Sequence, residues 1–322
     1  MELVVLIIIF GLIFDFTNGF HDAANVVATS IATKVIRPGV AILMASIFNF
    51  LGATQISGVA ETIATGLVEK QAATQLMVLS AVIGAILWNL LTWYFRVPTS
   101  SSYALIGGLL GAAFFSGGKQ MILWGGVIYK VLIPMLVSPL LGYTIAYIGM
   151  FVLLKFSKRE RHFYKYFQLS SSAVVAFSHG LNDAQKSMGI ITLGLFSAGL
   201  ISTSHIPLWV IGACAIMMAL GTASEGFRIT RTMGYEITKL QPSDGFIAEF
   251  SSSIIILCAS FLGMPLSSTH IIAGSITGVG SARAIRHVQW KTTHKLILAW
   301  ILTLPGAALA SAMIFYLLSP LI

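Results

Sequence analysis

The sequence predicts an all-α polytopic membrane protein made of two inverted-topology repeats, with broken helices and two re-entrant Pro-Ser-Ser hairpins. Three observations carry this expectation: apolar residues dominate, two blocks recur in both halves, and polar residues sit inside apolar runs. Of 322 residues, 57% are hydrophobic and 9% charged, with a mean hydropathy of +0.89. An ordinary soluble domain carries about 25% charged residues. A membrane helix needs about 20 apolar residues, and such stretches follow one another along the whole chain.

Ten crossings are expected, at 2–33, 39–60, 72–95, 97–118, 121–154, 170–199, 208–224, 246–263, 265–280 and 296–322. The first apolar stretch, from Glu2, has no basic segment before it and no small-residue cleavage site after Phe14, so it reads as retained rather than as a signal peptide. Cys214 and Cys258 fall in separate apolar segments, a spacing unsuited to a zinc site or a disulfide framework.

The net charge of +8 does not imply nucleic acid, because the basic residues form no face on a soluble unit. They report orientation instead. With the N-terminus outside, the inner loops collect Lys34, Arg37, Arg96, Lys155, Lys158, Arg159, Arg161, Lys165, Arg228, Arg231, Lys239, Arg283, Arg286, Lys291 and Lys295, most of the 19 Lys and Arg. Lys70 and Lys119 lie outside, while Lys130 and Lys186 fall within membrane segments. The positive-inside rule then places both termini outside the inner (plasma) membrane.

Two blocks repeat. Asn18-Gly19-Phe20-His21-Asp22-Ala23-Ala24-Asn25 aligns with His179-Gly180-Leu181-Asn182-Asp183-Ala184-Gln185-Lys186, 161 residues later. Val97-Pro98-Thr99-Ser100-Ser101-Ser102-Tyr103 aligns with Met264-Pro265-Leu266-Ser267-Ser268-Thr269-His270, 167 residues later, and Gly107 and Gly111 fall on Gly274 and Gly278. Five crossings per half, an odd number, invert the second copy. The expected organisation is therefore a first repeat at 1–154, a basic cytoplasmic linker at 155–169 and a second repeat at 170–322. Inverted repeats point to alternating access, with the cargo held near the midplane where interrupted helices meet.

A break near Asn18-Gly19 is expected to leave Asp22 and Asn25 on one helix face, with Asp183 and Lys186, and Asn182 and Gln185, placed likewise in the second copy. Ionisable groups at this depth are costly and mark pathways; the plainer reading is that Asp22 and Asp183 merely satisfy buried backbone or pair with Lys186. Pro98 and Pro265 suit a helix first turn, and the hydroxyls after them suit capping. Each such start offers free N–H groups and a positive dipole end to an anion. Two facing each other suit a tetrahedral oxyanion, held by Ser100, Ser101, Ser102, Ser267, Ser268 and Thr269 with Asp22, Asn25, Asn182, Asp183 and Gln185.

Carboxylates beside an anion require a cation. Asp22, Asn25, Asn182, Asp183, Ser101, Ser268 and Glu249 are candidate sodium ligands, since hard cations take oxygen donors; a proton carried on an aspartate is the alternative. A carboxylate acceptor also favours hydrogen phosphate over sulfate, which has no proton to donate. His21 reads as a hydrogen-bonding residue and Glu225–Asp244 as an interfacial helix. No cofactor and no enzymatic constellation of nucleophile, base and metal is apparent. An ion channel is the rival class, because hydroxyl-lined re-entrant segments also build selectivity filters.

At these residues the sequence resembles the inorganic phosphate transporter (PiT) family. The paired Asp blocks look like its signatures and the Pro-Ser blocks like its re-entrant hairpins. The stretch Arg231-Thr232-Met233-Gly234, with Ile237–Leu240 and Gly245–Glu249, is similar to a further stretch of that family. The resemblance implies secondary active import of phosphate with sodium or protons, commonly by a homodimer. His21 departs from the Asn that family members often carry there. Some relatives carry sulfate, which keeps another oxyanion open as cargo.

Overall fold

The computed structural model describes residues 2–156, 163–203, 205–224 and 228–321. It is helical throughout, with no named strand among the described residues. In order come α1 (Glu2–Ala32), α2 (Pro38–Ala53), α3 (Gly58–Thr65), α4 (Gln75–Tyr94), α5 (Ser101–Gly117), α6 (Trp124–Val127), α7 (Ile133–Phe156), α8 (Phe163–Ser197), α9 (Leu208–Ala223), α10 (Arg228–Arg231), α11 (Pro242–Phe261), α12 (Ser268–Arg283) and α13 (Trp290–Leu318).

Burial runs opposite to that of a water-soluble protein. Asp22, Asp183, Lys186 and Glu249 are buried, whereas Leu140 on α7 and Leu298, Ile301 and Leu309 on α13 are exposed. That distribution suits a lipid surround, where polar groups gain nothing by facing outward. The buried apolar residues form two main clusters: Phe14 belongs to one and Ala24 to the other. The polar stretch of α1 from Asp15 to Asp22 lies between them in the chain.

Five helical stretches are long and apolar enough to span: α1, α4, the run Trp124–Phe156, α11 and α13. The pair α2–α3 makes a sixth when taken together, but it bends by 67° across residues 54–57. By length and composition alone, five or six of the ten expected crossings qualify among the described residues. Helix α5 has 17 residues, and α9 and α12 have 16 each. Sixteen residues rise about 24 Å, short of a hydrocarbon core of about 30 Å. Between α6 and α7, Ile128–Leu132 widens into a π turn carrying Lys130, whose Nζ donates to Thr62 Oγ1 at 3.1 Å.

Three expectations are corrected. Helices α1 and α8 run unbroken through both Asp blocks. The glycines there serve close approach rather than interruption: a Cβ on Gly19 would stand 2.5 Å from the Met218 carbonyl oxygen of α9, and one on Gly180 2.1 Å from the Asn49 carbonyl oxygen of α2. Pro98 and Pro265 precede the helices, because the caps are Ser100 and Ser267. The stretch expected as an interfacial helix is instead the single turn α10, a π turn at Thr232–Glu236 and the start of α11; residues 225–227 lie outside the described residues. So do residues 157–162 of the basic linker.

The packing joins early helices to late ones: α1 lies on α9, α2 on α8, α5 on α13 and α7 on α12. Within this frame the starts of α5 and α12 meet the middles of α1 and α8.

Candidate functional site

Each Pro-Ser block approaches its helix in extended conformation. Ser100 has φ −103° and ψ 108°, and Ser267 has φ −95° and ψ 110°. Their hydroxyls accept from the Tyr103 and His270 amides at 3.2 and 3.3 Å. One amide per helix is thus satisfied, while the earlier amides of each first turn have no intrahelical acceptor. The two starts are tied to each other. Ser102 Oγ donates to the Leu266 carbonyl at 3.2 Å, and Thr269 Oγ1 donates to the Thr99 carbonyl at 3.0 Å.

Helix α1 brings Asp22 and Asn25 to this junction one turn apart. Asn25 Nδ2 donates to Thr269 Oγ1 at 2.8 Å and Ser268 Oγ at 3.3 Å. Asp22 Oδ1 lies 3.4 Å from Thr269 Oγ1 and 3.0 Å from His21 Nδ1. The other ring nitrogen of His21 lies 3.3 Å from Thr92 Oγ1 at the end of α4. His21 therefore bridges the site aspartate to a neighbouring helix, the hydrogen-bonding role expected of it.

Helix α8 supplies Asp183, Lys186 and His179. Asp183 Oδ2 accepts from Ser268 Oγ at 2.8 Å and lies 2.9 Å from His179 Nε2. Asp183 Oδ1 pairs with Lys186. The same ammonium reaches Ser102 Oγ and donates to the Leu266 carbonyl at 2.8 Å. Asp22, His179 and Asp183 each offer a polar atom within 4.8 Å of the others, though both Asp183 oxygens already have partners in Lys186, Ser268 and His179.

Of the residues singled out in the sequence, Asp22, Asn25, Ser101, Ser102, Asp183, Ser268 and Thr269 gather here, with Ser100 and Ser267 behind them as caps. Ser101 Oγ has no hydrogen-bond partner among the described residues although its residue is fully buried. Asn182 stands at the edge, donating to Ser260 Oγ at 2.9 Å and the Met264 carbonyl at 3.2 Å. Two residues lie elsewhere. Gln185 Oε1 accepts from the Val59 and Ala60 amides at 2.8 and 3.2 Å, capping α3. Glu249 sits in a separate cluster, accepting from Ser172 Oγ at 3.0 Å and from the hydroxyls of Thr29 and Ser171.

Sequence reasoning left out His179 and the carbonyls of Thr99 and Leu266, and gave Lys186 only as an ion-pair partner. The alignment of Lys186 with Asn25 was the signal available. Every residue of the expected binding set is at most 2% exposed, so the site is closed to both sides in this conformation.

A model of the phosphate transporter family matches residues 18–162 and again 153–311. The chain is 41% identical over 321 residues to a probable low-affinity inorganic phosphate transporter of Rhizobium meliloti (strain 1021), covering 98% of this chain and 96% of that one. It is 38% identical over 326 residues to a probable low-affinity inorganic phosphate transporter of Bacillus subtilis (strain 168), covering 98% and 97%. Among solved structures, that of "The sodium-dependent phosphate transporter" superposes with a TM-score of 0.91 at 26% identity, covering all of both chains. These relatives are transporters rather than enzymes, and with five or six apolar spans the chain is a multi-pass membrane protein. It belongs to the phosphate transporter family.

Proposed function

We propose that this chain imports inorganic phosphate with a cation, by alternating access of two inverted repeats about the junction of α5 and α12. The observation that carries the reading is the meeting of two capped helix starts, tied through Ser102–Leu266 and Thr269–Thr99, beside Asp22 and Asp183. Free first-turn amides and the unpartnered Ser101 hydroxyl suit the oxygens of phosphate. Asp22 suits its proton, which distinguishes it from sulfate.

Sodium is the coupling ion we favour, supported by the carboxylate, hydroxyl and carbonyl oxygens at Asp22, Thr269 and Thr99 and by the likeness to a transporter named as sodium-dependent. Closure of the site on both sides supports a carrier over a channel. We extend the reading to a homodimer in the inner membrane with both termini outside. Its orientation is supported by Lys239, Arg283 and Arg286 lining one cavity of about 590 Å³ with Leu154 at the end of α7.

The test is uptake of radiolabelled phosphate into liposomes carrying the purified protein, under an inward sodium gradient, a proton gradient or neither, with excess sulfate as competitor. Accumulation that follows sodium and ignores sulfate supports the whole reading. Accumulation that follows protons reassigns the coupling ion, and none under any gradient sinks phosphate transport.

A further inference from the structure

The two halves build matching oxygen pockets, and only one is filled by a side-chain cation. In the second half, Lys186 Nζ meets Asp183 Oδ1, Ser102 Oγ and the Leu266 carbonyl oxygen. Lys186 is fully buried. The aligned blocks equate Asp183 with Asp22, Ser102 with Thr269 and Leu266 with Thr99. Those three partners also converge in the first half: Thr269 Oγ1 lies 3.4 Å from Asp22 Oδ1 and 3.0 Å from the Thr99 carbonyl oxygen.

At the step of Lys186 the first half carries Asn25, a neutral amide directed at Thr269 and Ser268. The histidines do not create this asymmetry, since His21 lies beside Asp22 and His179 beside Asp183.

We infer that Lys186 is a tethered cation standing permanently where the second half would otherwise take a mobile one, so that the coupling ion enters only the pocket of Asp22, Thr269 and Thr99. This rests on the cation-coupled transport proposed above. Carboxylate, hydroxyl and carbonyl oxygens form the donor set a hard monovalent ion uses, and an ammonium offers three N–H groups to three such oxygens. A tethered charge offsets Asp183 and favours the anion without being drawn from solution in each cycle. The carrier then moves one fewer cation per phosphate than two open pockets would require. A purely structural Lys186–Asp183 pair would instead affect folding alone.

The experiment measures equilibrium binding of radiolabelled phosphate to purified protein while sodium is titrated against choline, comparing the wild type with Lys186→Asn, the residue of the matching position. Opening the second pocket should raise the sodium Hill coefficient by about one. It should also weaken phosphate binding at low sodium by roughly tenfold or more, recovered at high sodium. An unchanged sodium dependence, or a loss that no sodium concentration restores, would overturn the inference. Should Lys186→Asn give no monodisperse protein, Asn25→Lys reads the relation from the other half. It should bind phosphate with the sodium dependence reduced, and full retention of that dependence would overturn the inference. Wild-type protein that binds no phosphate at any sodium concentration would fail the transport reading itself, a separate result.

Discussion

Tyr103 and His270 occupy the same step of the two Pro-Ser blocks and pack against each other, with ring centroids 5.1 Å apart. His270 in turn stacks on Trp300 of α13 at 4.2 Å, and Trp300 Nε1 donates to the Pro98 carbonyl at 3.3 Å. The lead-in to one helix start is thus held by a ring seated on the other. Trp300→Phe keeps most of the stacking but leaves the buried Pro98 carbonyl without its donor, which costs about 1–3 kcal/mol. A lower thermal midpoint in detergent, with weaker phosphate binding, is the expected outcome; unchanged values for both would show that this bond does not hold the block.

Gly180 lets α8 lie on α2. A methyl group there would stand 2.1 Å from a backbone oxygen, which no side-chain rotation relieves. Gly180→Ala is therefore expected to destabilise the fold by about 1–3 kcal/mol through overpacking. Gly212→Ala is the control, since nothing lies within 4 Å of a Cβ at that position, and alanine is the better helix former. Thermal unfolding should separate the two, and equal effects would count against close approach as the role of Gly180.

The serines at equivalent steps have different duties. Ser268 Oγ donates to Asp183, whereas Ser101 Oγ has no partner among the described residues. Ser101→Ala should leave thermal stability within about 0.5 kcal/mol and weaken phosphate binding by roughly fivefold, the equivalent of one hydrogen bond of about 1 kcal/mol. Ser268→Ala should lower both. Stability loss confined to Ser101→Ala would reverse the assignment.

The aspartates should separate in the same way. Asp183→Asn leaves the Lys186 ammonium buried without its carboxylate, and breaking such a pair costs about 3–5 kcal/mol. Among the described residues Asp22 pairs with His21 and with no lysine, so Asp22→Asn should fold and bind phosphate with little dependence on sodium. The double variant Asp183→Asn with Lys186→Met should recover much of the lost stability while remaining inactive. Circular dichroism melts and uptake assays read the two effects independently.

Much of this site was legible because polar residues inside apolar runs have few innocent explanations, and both Asp blocks and both Pro-Ser blocks do converge. The misreadings have a common physical origin. Glycine marks close approach as well as interruption, and only the position of Met218 or Asn49 decides which applies. Gln185 looked like a ligand because its true acceptor role, toward the amides of α3, involves residues more than 120 positions earlier. The partners of Lys186 at Ser102 and Leu266 are likewise remote in sequence. Spacing along a chain cannot show which distant oxygen closes a pocket.

Lys119 and Arg286 test the inversion of the repeats directly. They are 167 residues apart, the same offset as the Pro-Ser blocks, and each sits in an exposed 3₁₀ turn or at its edge just after α5 or α12. Because Ser102 and Thr269 tie the starts of these helices together, their ends are expected to emerge on opposite membrane faces. Cys214 is buried and Cys258 exposed, so a Cys258→Ser background suits single-cysteine labelling. In intact cells, Lys119→Cys should react with a membrane-impermeant maleimide, while Arg286→Cys should react only after permeabilisation. Labelling of both from one side would rule out inverted repeats; labelling with the sides exchanged would keep the inversion and reverse the termini.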